Sequence, residues 1–147
     1  MQKGNNKDPV DALRDACRRH NLRVTPQRIA VYQELIKSKA HPSAEAVFQH
    51  LRKSFPNVSF DTVNRTLLTF ARIGLIDVVE GQGGPRRFDP TLKKHHHLHC
   101  VRCGKIIDFF DEGYDKIKVP KDIENRFRLL SKRVVLNILC DRCDKKK

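Results

Sequence analysis

Two C-x-x-C pairs, Cys100-Val101-Arg102-Cys103 and Cys140-Asp141-Arg142-Cys143, constrain this chain more than any other feature. Each knuckle presents two thiolates to one side of a metal. Two knuckles make a tetrahedral Cys₄ zinc site with Zn–S distances of about 2.3 Å. Such a site is closed and structural, with no open coordination position for chemistry. It requires the end of the chain to fold back onto residue 100. No apolar run reaches the roughly 18 residues of a membrane span, and Met1 to Pro9 is polar, without a signal-peptide core. The expectation is a cytoplasmic protein with reduced thiols and no membrane association, in which paired cysteines bind metal rather than form disulfides. Cys17, the fifth cysteine, shares an apolar helical stripe with Leu13 and reads as a small buried hydrophobe.

A closed Cys₄ site leaves a second ligand store unused. His95, His96, His97 and His99 directly precede the first knuckle and point to a further metal beside the structural one.

The first part of the chain reads as helices. Asp8-Pro9 is an N-cap followed by proline, with Val10, Leu13, Ala16 and Cys17 on one face. Thr25-Pro26 repeats that start, and Ile29, Tyr32, Leu35 and Ile36 line the next helix. His41-Pro42 breaks it. Ser43 caps a third helix, with Val47, Phe48 and Leu51 inward. Ser59 caps a fourth, with Phe60, Val63, Leu67, Phe70 and Ala71 at helical spacing and Gly74 as its stop. Runs at 75–79 and 86–88 then flank Gly81-Gln82-Gly83-Gly84-Pro85 as a hairpin. This order predicts a winged helix-turn-helix whose fourth helix enters the DNA major groove, presenting Thr62, Asn64, Arg65 and Arg72.

From residue 90 the character changes to strands at 97–101, 105–110 and 134–139, with a helix expected within 112–127 and Pro120 read as a helix start rather than an interior residue. The fold class is α+β: a winged-helix DNA-binding domain over residues 1–89 and a small zinc-containing domain over 90–147. A core this small is marginal without a zinc staple. The chain carries 30 Lys+Arg against 17 Asp+Glu, formally +13. Four thiolates and one Zn²⁺ change this by −4 + 2, to +11. A basic chain of this kind points to nucleic acid before anionic membrane. Charge does not divide the halves, since residues 1–90 carry 15 basic and 9 acidic side chains and residues 91–147 carry 15 and 8.

The chain resembles the ferric uptake regulator (Fur) family of bacterial metalloregulators, and most of all its peroxide-sensing PerR subgroup. The matching stretches are residues 22–28 (Leu-Arg-Val-Thr-Pro-Gln-Arg), His41-Pro42-Ser43-Ala44-Glu45, Ser59 to Gly74, Arg87-Phe88-Asp89, His95 to Gly104, and Cys140-x-x-Cys143. The resemblance implies an N-terminal winged helix, a C-terminal α/β dimerisation domain, a homodimer, and a double-stranded DNA operator as partner. It assigns structural zinc to Cys100, Cys103, Cys140 and Cys143. It matches Arg23 and Arg65 to residues that contact the minor and major grooves.

The same resemblance places a regulatory metal on His41, Asp89, His95, His97 and Asp108, a ligand set suited to Fe²⁺, Mn²⁺ or Zn²⁺, with Fe²⁺ or Mn²⁺ expected as the regulatory ion. Strand alternation puts His95 and His97 on one face, with His96 and His99 expected to point away. Aspartate at 108 is typical of peroxide sensors, where iron sensors typically carry glutamate. The implied mechanism is a clamp between domains, released when peroxide oxidises His41 or His95 in the iron form. Two departures stand out. Lys94 and Lys132 replace histidines of a third family metal site, and Asn64 replaces an aromatic residue of the recognition helix. The alternatives are an iron-responsive or zinc-responsive repressor of the same family and, from another class, a metallohydrolase. The last lacks any H-E-x-x-H-like motif, and no enzymatic activity is expected.

Overall fold

The computed structural model describes residues 8–79 and 84–145. The chain divides into two compact units, with the boundary between Leu92 and Lys93. Each is built differently.

The first unit holds four helices and a hairpin: α1 (Pro9–Arg19), α2 (Pro26–Lys37), α3 (Ala44–Leu51), α4 (Phe60–Arg72), β1 (Asp77–Val79) and β2 (Arg87–Asp89). Each helix starts where a side-chain oxygen takes an otherwise unsatisfied N–H. Asp8 accepts from Val10 N–H at 3.0 Å. Thr25 accepts from Arg28 at 3.2 Å, Ser43 from Ala46 at 3.2 Å and Ser59 from Thr62 at 3.1 Å. Helix α4 closes in a Schellman motif. Leu75 N–H donates to Phe70 O at 2.9 Å and Gly74 N–H to Ala71 O at 3.1 Å. That turn needs φ +75° at Gly74, which a residue without Cβ adopts without strain.

The apolar stripes meet in one core of Leu13, Cys17, Val31, Leu35, Val47, Val63, Leu67, Phe70, Ile76 and Phe88. Phe60 lies at the edge of the apolar stripe of α4. It is the first residue of α4, is 42% exposed, and packs edge-on against Phe48 at 6.0 Å. β1 and β2 pair antiparallel, with Val78 opposite Phe88. Residues 81–83 of the expected hairpin tip, and Lys146 and Lys147 at the tail, lie outside the described residues.

The second unit is a three-stranded sheet in the order β4-β3-β5, from β3 (His96–Cys100), β4 (Ile106–Phe109) and β5 (Val135–Ile138). β3 and β4 form an antiparallel hairpin, whereas β5 runs parallel to β3. The parallel pairing needs a crossover, which carries α5 (Glu112–Asp115) and α6 (Lys121–Arg126). A final turn, α7 (Asp141–Asp144), follows β5. The segment 112–127 thus holds two short helices rather than one, the second beginning at Pro120 as its proline predicts. Pro120 caps α6 and pushes Val119 out of the helical region, so the two cannot join.

Candidate metal centres and recognition helix

The parallel pairing of β3 and β5 sets Cys100 opposite Ile138, so the two knuckles emerge side by side. The four cysteine sulfurs lie within 4.8 Å of one another, and Cys103 Sγ and Cys140 Sγ are 3.7 Å apart. A regular tetrahedron with 2.3 Å Zn–S bonds has edges of about 3.8 Å, so the cluster fits Zn²⁺. Each knuckle is shaped by its own backbone: Gly104 N–H donates to Cys100 O at 2.9 Å, and Cys143 N–H to Cys140 O at 2.8 Å. Arg102 ties the two together by donating to Cys143 O at 2.6 Å.

The thiols are electrostatically unequal. Backbone N–H groups of Cys103 and Cys140 pull the Cys100 thiol down to about 5. The Lys105 N–H lowers Cys103. Desolvation, followed by hydrogen bonding with the neighbouring sulfurs, pushes Cys143 up to about 12. Four thiolates cannot share this space without a cation, and a divalent metal supplies one.

Within the second unit, His95, His97 and Asp108 also converge. His97 and Asp108 are register partners across the β3–β4 hairpin. Asp108 Oδ1 is 3.1 Å from His97 Nε2 and 3.5 Å from His95 Nε2, and the two Nε2 atoms are 3.1 Å apart. His95 Nδ1–H donates to Lys93 O at 2.6 Å. That fixes the tautomer and leaves the Nε2 lone pair facing the cluster, the orientation that a metal-ligating histidine needs. Both imidazoles are buried.

Within the first unit, His41 and Asp89 form their own pair, with His41 Nε2 3.5 Å from Asp89 Oδ2. His41 and Asp89 are both buried. Asp89 is steadied by Thr91 N–H at 2.8 Å. His41 sits in the left-handed region at φ +53°. Arg87 donates through Nε to His41 O and through Nη2 to Ala40 O, the latter at 2.6 Å. Sequence reasoning assigned no role to Arg87, although it lies in the matched Arg87-Phe88-Asp89 stretch.

The other two histidines of the block behave differently from each other. His96 points to the opposite face, as expected. Its Nδ1 accepts from Val134 N–H at 3.0 Å, so Nε2 carries the proton and donates to Asp115 Oδ1 at 2.8 Å. His99 corrects the expectation: strict alternation puts it on the same face as His97, opposite Ile106 and Asn137. Among the described residues its Nδ1 is buried without a hydrogen-bond partner. Lys94 and Lys132, which stand where the family's third site carries histidine, are occupied with backbone. Both ammonium groups donate to Asp115 O, at 3.2 and 2.8 Å, and Lys132 also donates to Ile117 O.

Helix α4 carries the expected recognition residues on its less buried side. Arg65 is exposed and pairs with Asp61 at 3.0 Å, a bond between two exposed groups that a phosphate or base edge can displace. Thr62 accepts from the Ser59 hydroxyl at 2.9 Å, and Asn64 is half-buried. Arg23 is exposed between α1 and α2, with its carbonyl held by Arg28 at 2.5 Å.

The ferric uptake regulator family model matches residues 19–137. The chain belongs to the ferric uptake regulator family. The peroxide operon regulator of Bacillus subtilis is 32% identical over 140 residues, spanning 95% of this chain and 94% of its own. Fur from Helicobacter pylori, in which three functional metal-binding sites are described, matches with a TM-score of 0.73 at 26% identity, covering 92% of this chain and 91% of that one. PerR from Streptococcus pyogenes, described for peroxide sensing and gene regulation, matches with a TM-score of 0.54 at 25% identity, covering 92% and 93%. A Fur-family chain is a transcriptional regulator rather than an enzyme, and the hydrolase reading falls away.

Proposed function

We propose that this chain is a homodimeric, metal-dependent DNA-binding repressor that responds to peroxide. His41, Asp89, His95, His97 and Asp108 hold one regulatory Fe²⁺ or Mn²⁺ drawn from both units, and the Cys₄ cluster holds structural Zn²⁺. The observation that carries the reading is the convergence of His95, His97 and Asp108, with His95 locked in the tautomer that leaves Nε2 to ligate. His41 and Asp89 supply a matching imidazole and carboxylate from the other unit. Three imidazoles and two carboxylates form a borderline-to-hard set, chemically distinct from four thiolates. When bound as Fe²⁺, the metal supplies the redox chemistry with peroxide. The response then lies with this chain's own residues: an oxidised imidazole at 41 or 95 ligates poorly, and the hold on the DNA-competent geometry is lost.

Operator binding rests on α4, with Arg65 and Asn64 toward base edges, and on Arg23 toward the minor groove. A bias of about 1–3 kcal/mol from the metal changes operator affinity roughly 5- to 150-fold. The dimer is supported by the second unit's exposed Ile117, Phe127, Leu130, Val135 and Leu139, apolar side chains that a second copy can cover. Among the described residues no helix is long and apolar enough to cross a membrane.

The test is mass spectrometry of anaerobically Fe²⁺-loaded protein after a brief peroxide pulse, with the Mn²⁺ form as control. One added oxygen on peptides containing His41 or His95, in the iron form alone, is the expected result. Intact histidines in both forms would move the chain to an iron- or zinc-responsive repressor. The double variant His41→Ala, His95→Ala is expected to keep its zinc and lose metal-dependent operator binding.

A further inference from the structure

We propose that Arg87 is the positioning residue of the regulatory site: its guanidinium fork holds the main chain at Ala40 and His41 so that the His41 imidazole stays directed at Asp89. The inference rests on the reading of His41 as a regulatory ligand.

The backbone at His41 does not hold itself. A non-glycine residue at φ +53° is disfavoured by contact between its Cβ and the following carbonyl, so surrounding structure must stabilise it. Around His41 that structure is β2. Arg87 Nε donates to His41 O and Arg87 Nη2 to Ala40 O at 2.6 Å. Phe88 N–H donates to Pro42 O at 3.0 Å, and Ser43 bridges to Arg87. Three successive carbonyls, at 40, 41 and 42, are thereby fastened to two adjacent residues of one strand.

Alternation completes the device. Arg87 and Asp89 are two apart on β2 and project to the same side. Arg87 takes the main chain of residues 40 and 41, and Asp89 faces the His41 imidazole at 3.5 Å. One three-residue strand therefore fixes both ends of the same histidine. The fork matters because a planar guanidinium offers several fixed donors and reaches two carbonyls at once, whereas an ammonium acts as a single point. Arg86, the preceding residue, is exposed and alternates to the other side. It provides a charge-matched control.

The experiment measures Mn²⁺ affinity of full-length, zinc-replete protein from the electron paramagnetic resonance signal of hydrated Mn²⁺. Arg87→Met is expected to weaken binding by about tenfold or more, as loss of a residue that orients a ligand does. Arg87→Lys is expected to fall in between, and Arg86→Met to match the wild type. His41→Ala separates the two claims. If it leaves Mn²⁺ affinity unchanged, the reading of the regulatory site fails. If it weakens Mn²⁺ but Arg87→Met and Arg87→Lys both bind as the wild type does, the role of Arg87 is overturned. A second readout distinguishes positioning from general damage. In Fe²⁺-loaded Arg87→Lys exposed to peroxide, the share of oxidation at His41 should drop while His95 is still oxidised. Equal loss at both histidines would overturn positioning.

Discussion

The two units solve the problem of staying folded in opposite ways. In the first, 17 buried side chains among the described residues, from the four helices, the hairpin and the turns that join them, form one apolar core. In the second, the buried cluster is Cys100, Cys140 and Cys143, with Ile138 packed against it. Where hydrophobic burial stabilises the winged unit, the sheet unit depends on sulfur and on what the sulfur binds. A core of thiols has little apolar area to remove from water. The metal that closes it is therefore a folding element and not an accessory.

The largest effect that tests this contrast is zinc removal. A strong chelator under reducing conditions withdraws stabilisation on the order of 10 kcal/mol. Hydrogen exchange should then show β3, β4 and β5 losing amide protection while α1 to α4 keep theirs. Uniform loss across both units would refute the contrast. Next comes Phe70→Ala, which removes a fully buried ring that meets Tyr32 edge-on at 6.0 Å. It should cost about 3–5 kcal/mol, read as a lower denaturation midpoint of the helical unit with zinc content unchanged.

A smaller effect is expected within the sheet unit. Lys132→Ala removes the ammonium that binds the carbonyls of Asp115 and Ile117. For a half-buried charged donor this should cost about 1–2 kcal/mol and speed exchange in the crossover, leaving α1 to α4 untouched. The last effect concerns protons. Cys100, held at about 5 against an ordinary 9.0, adds stability that is fully present above 9 and lost as pH falls through 5. Cys143, raised to about 12, adds stability that is present below 9 and lost as pH rises through 12. At neutral pH the metal-free cluster thus carries a thiolate at 100 and a thiol at 143. Zinc uptake should release protons, and affinity should rise with pH in a pH-stat titration.

The first unit was readily legible because its signals are local. Asp8, Thr25, Ser43 and Ser59 announce the helix starts, and all four side chains do cap. The zinc knuckles were legible for the same reason, since spacing alone sets their geometry. Legibility failed where structure depends on distant partners. Within 112–127 Pro120 marks a helix start, but the sequence holds no apolar stripe to bound the helices on either side, and every residue of 121–130 is exposed. His99 was placed on the wrong face although alternation alone determines it. Arg87 acts on a carbonyl 46 residues away, and no short-range pattern carries that information. His96 likewise spends both ring nitrogens on Val134 and Asp115, partners that only the folded sheet brings to it.

Asp89 is the last residue of β2, and β2 is half of the wing. A carboxylate proposed to face the metal thus belongs to the same short strand that an operator would press upon. Binding equilibria that share an element are reciprocal: whatever factor the metal adds to operator affinity, the operator must return to metal affinity. On the proposed function, a copy seated on DNA would retain its metal at concentrations where a copy in free solution has released it. The chain's metal threshold would then be a property of where the protein is, as well as of how much metal surrounds it.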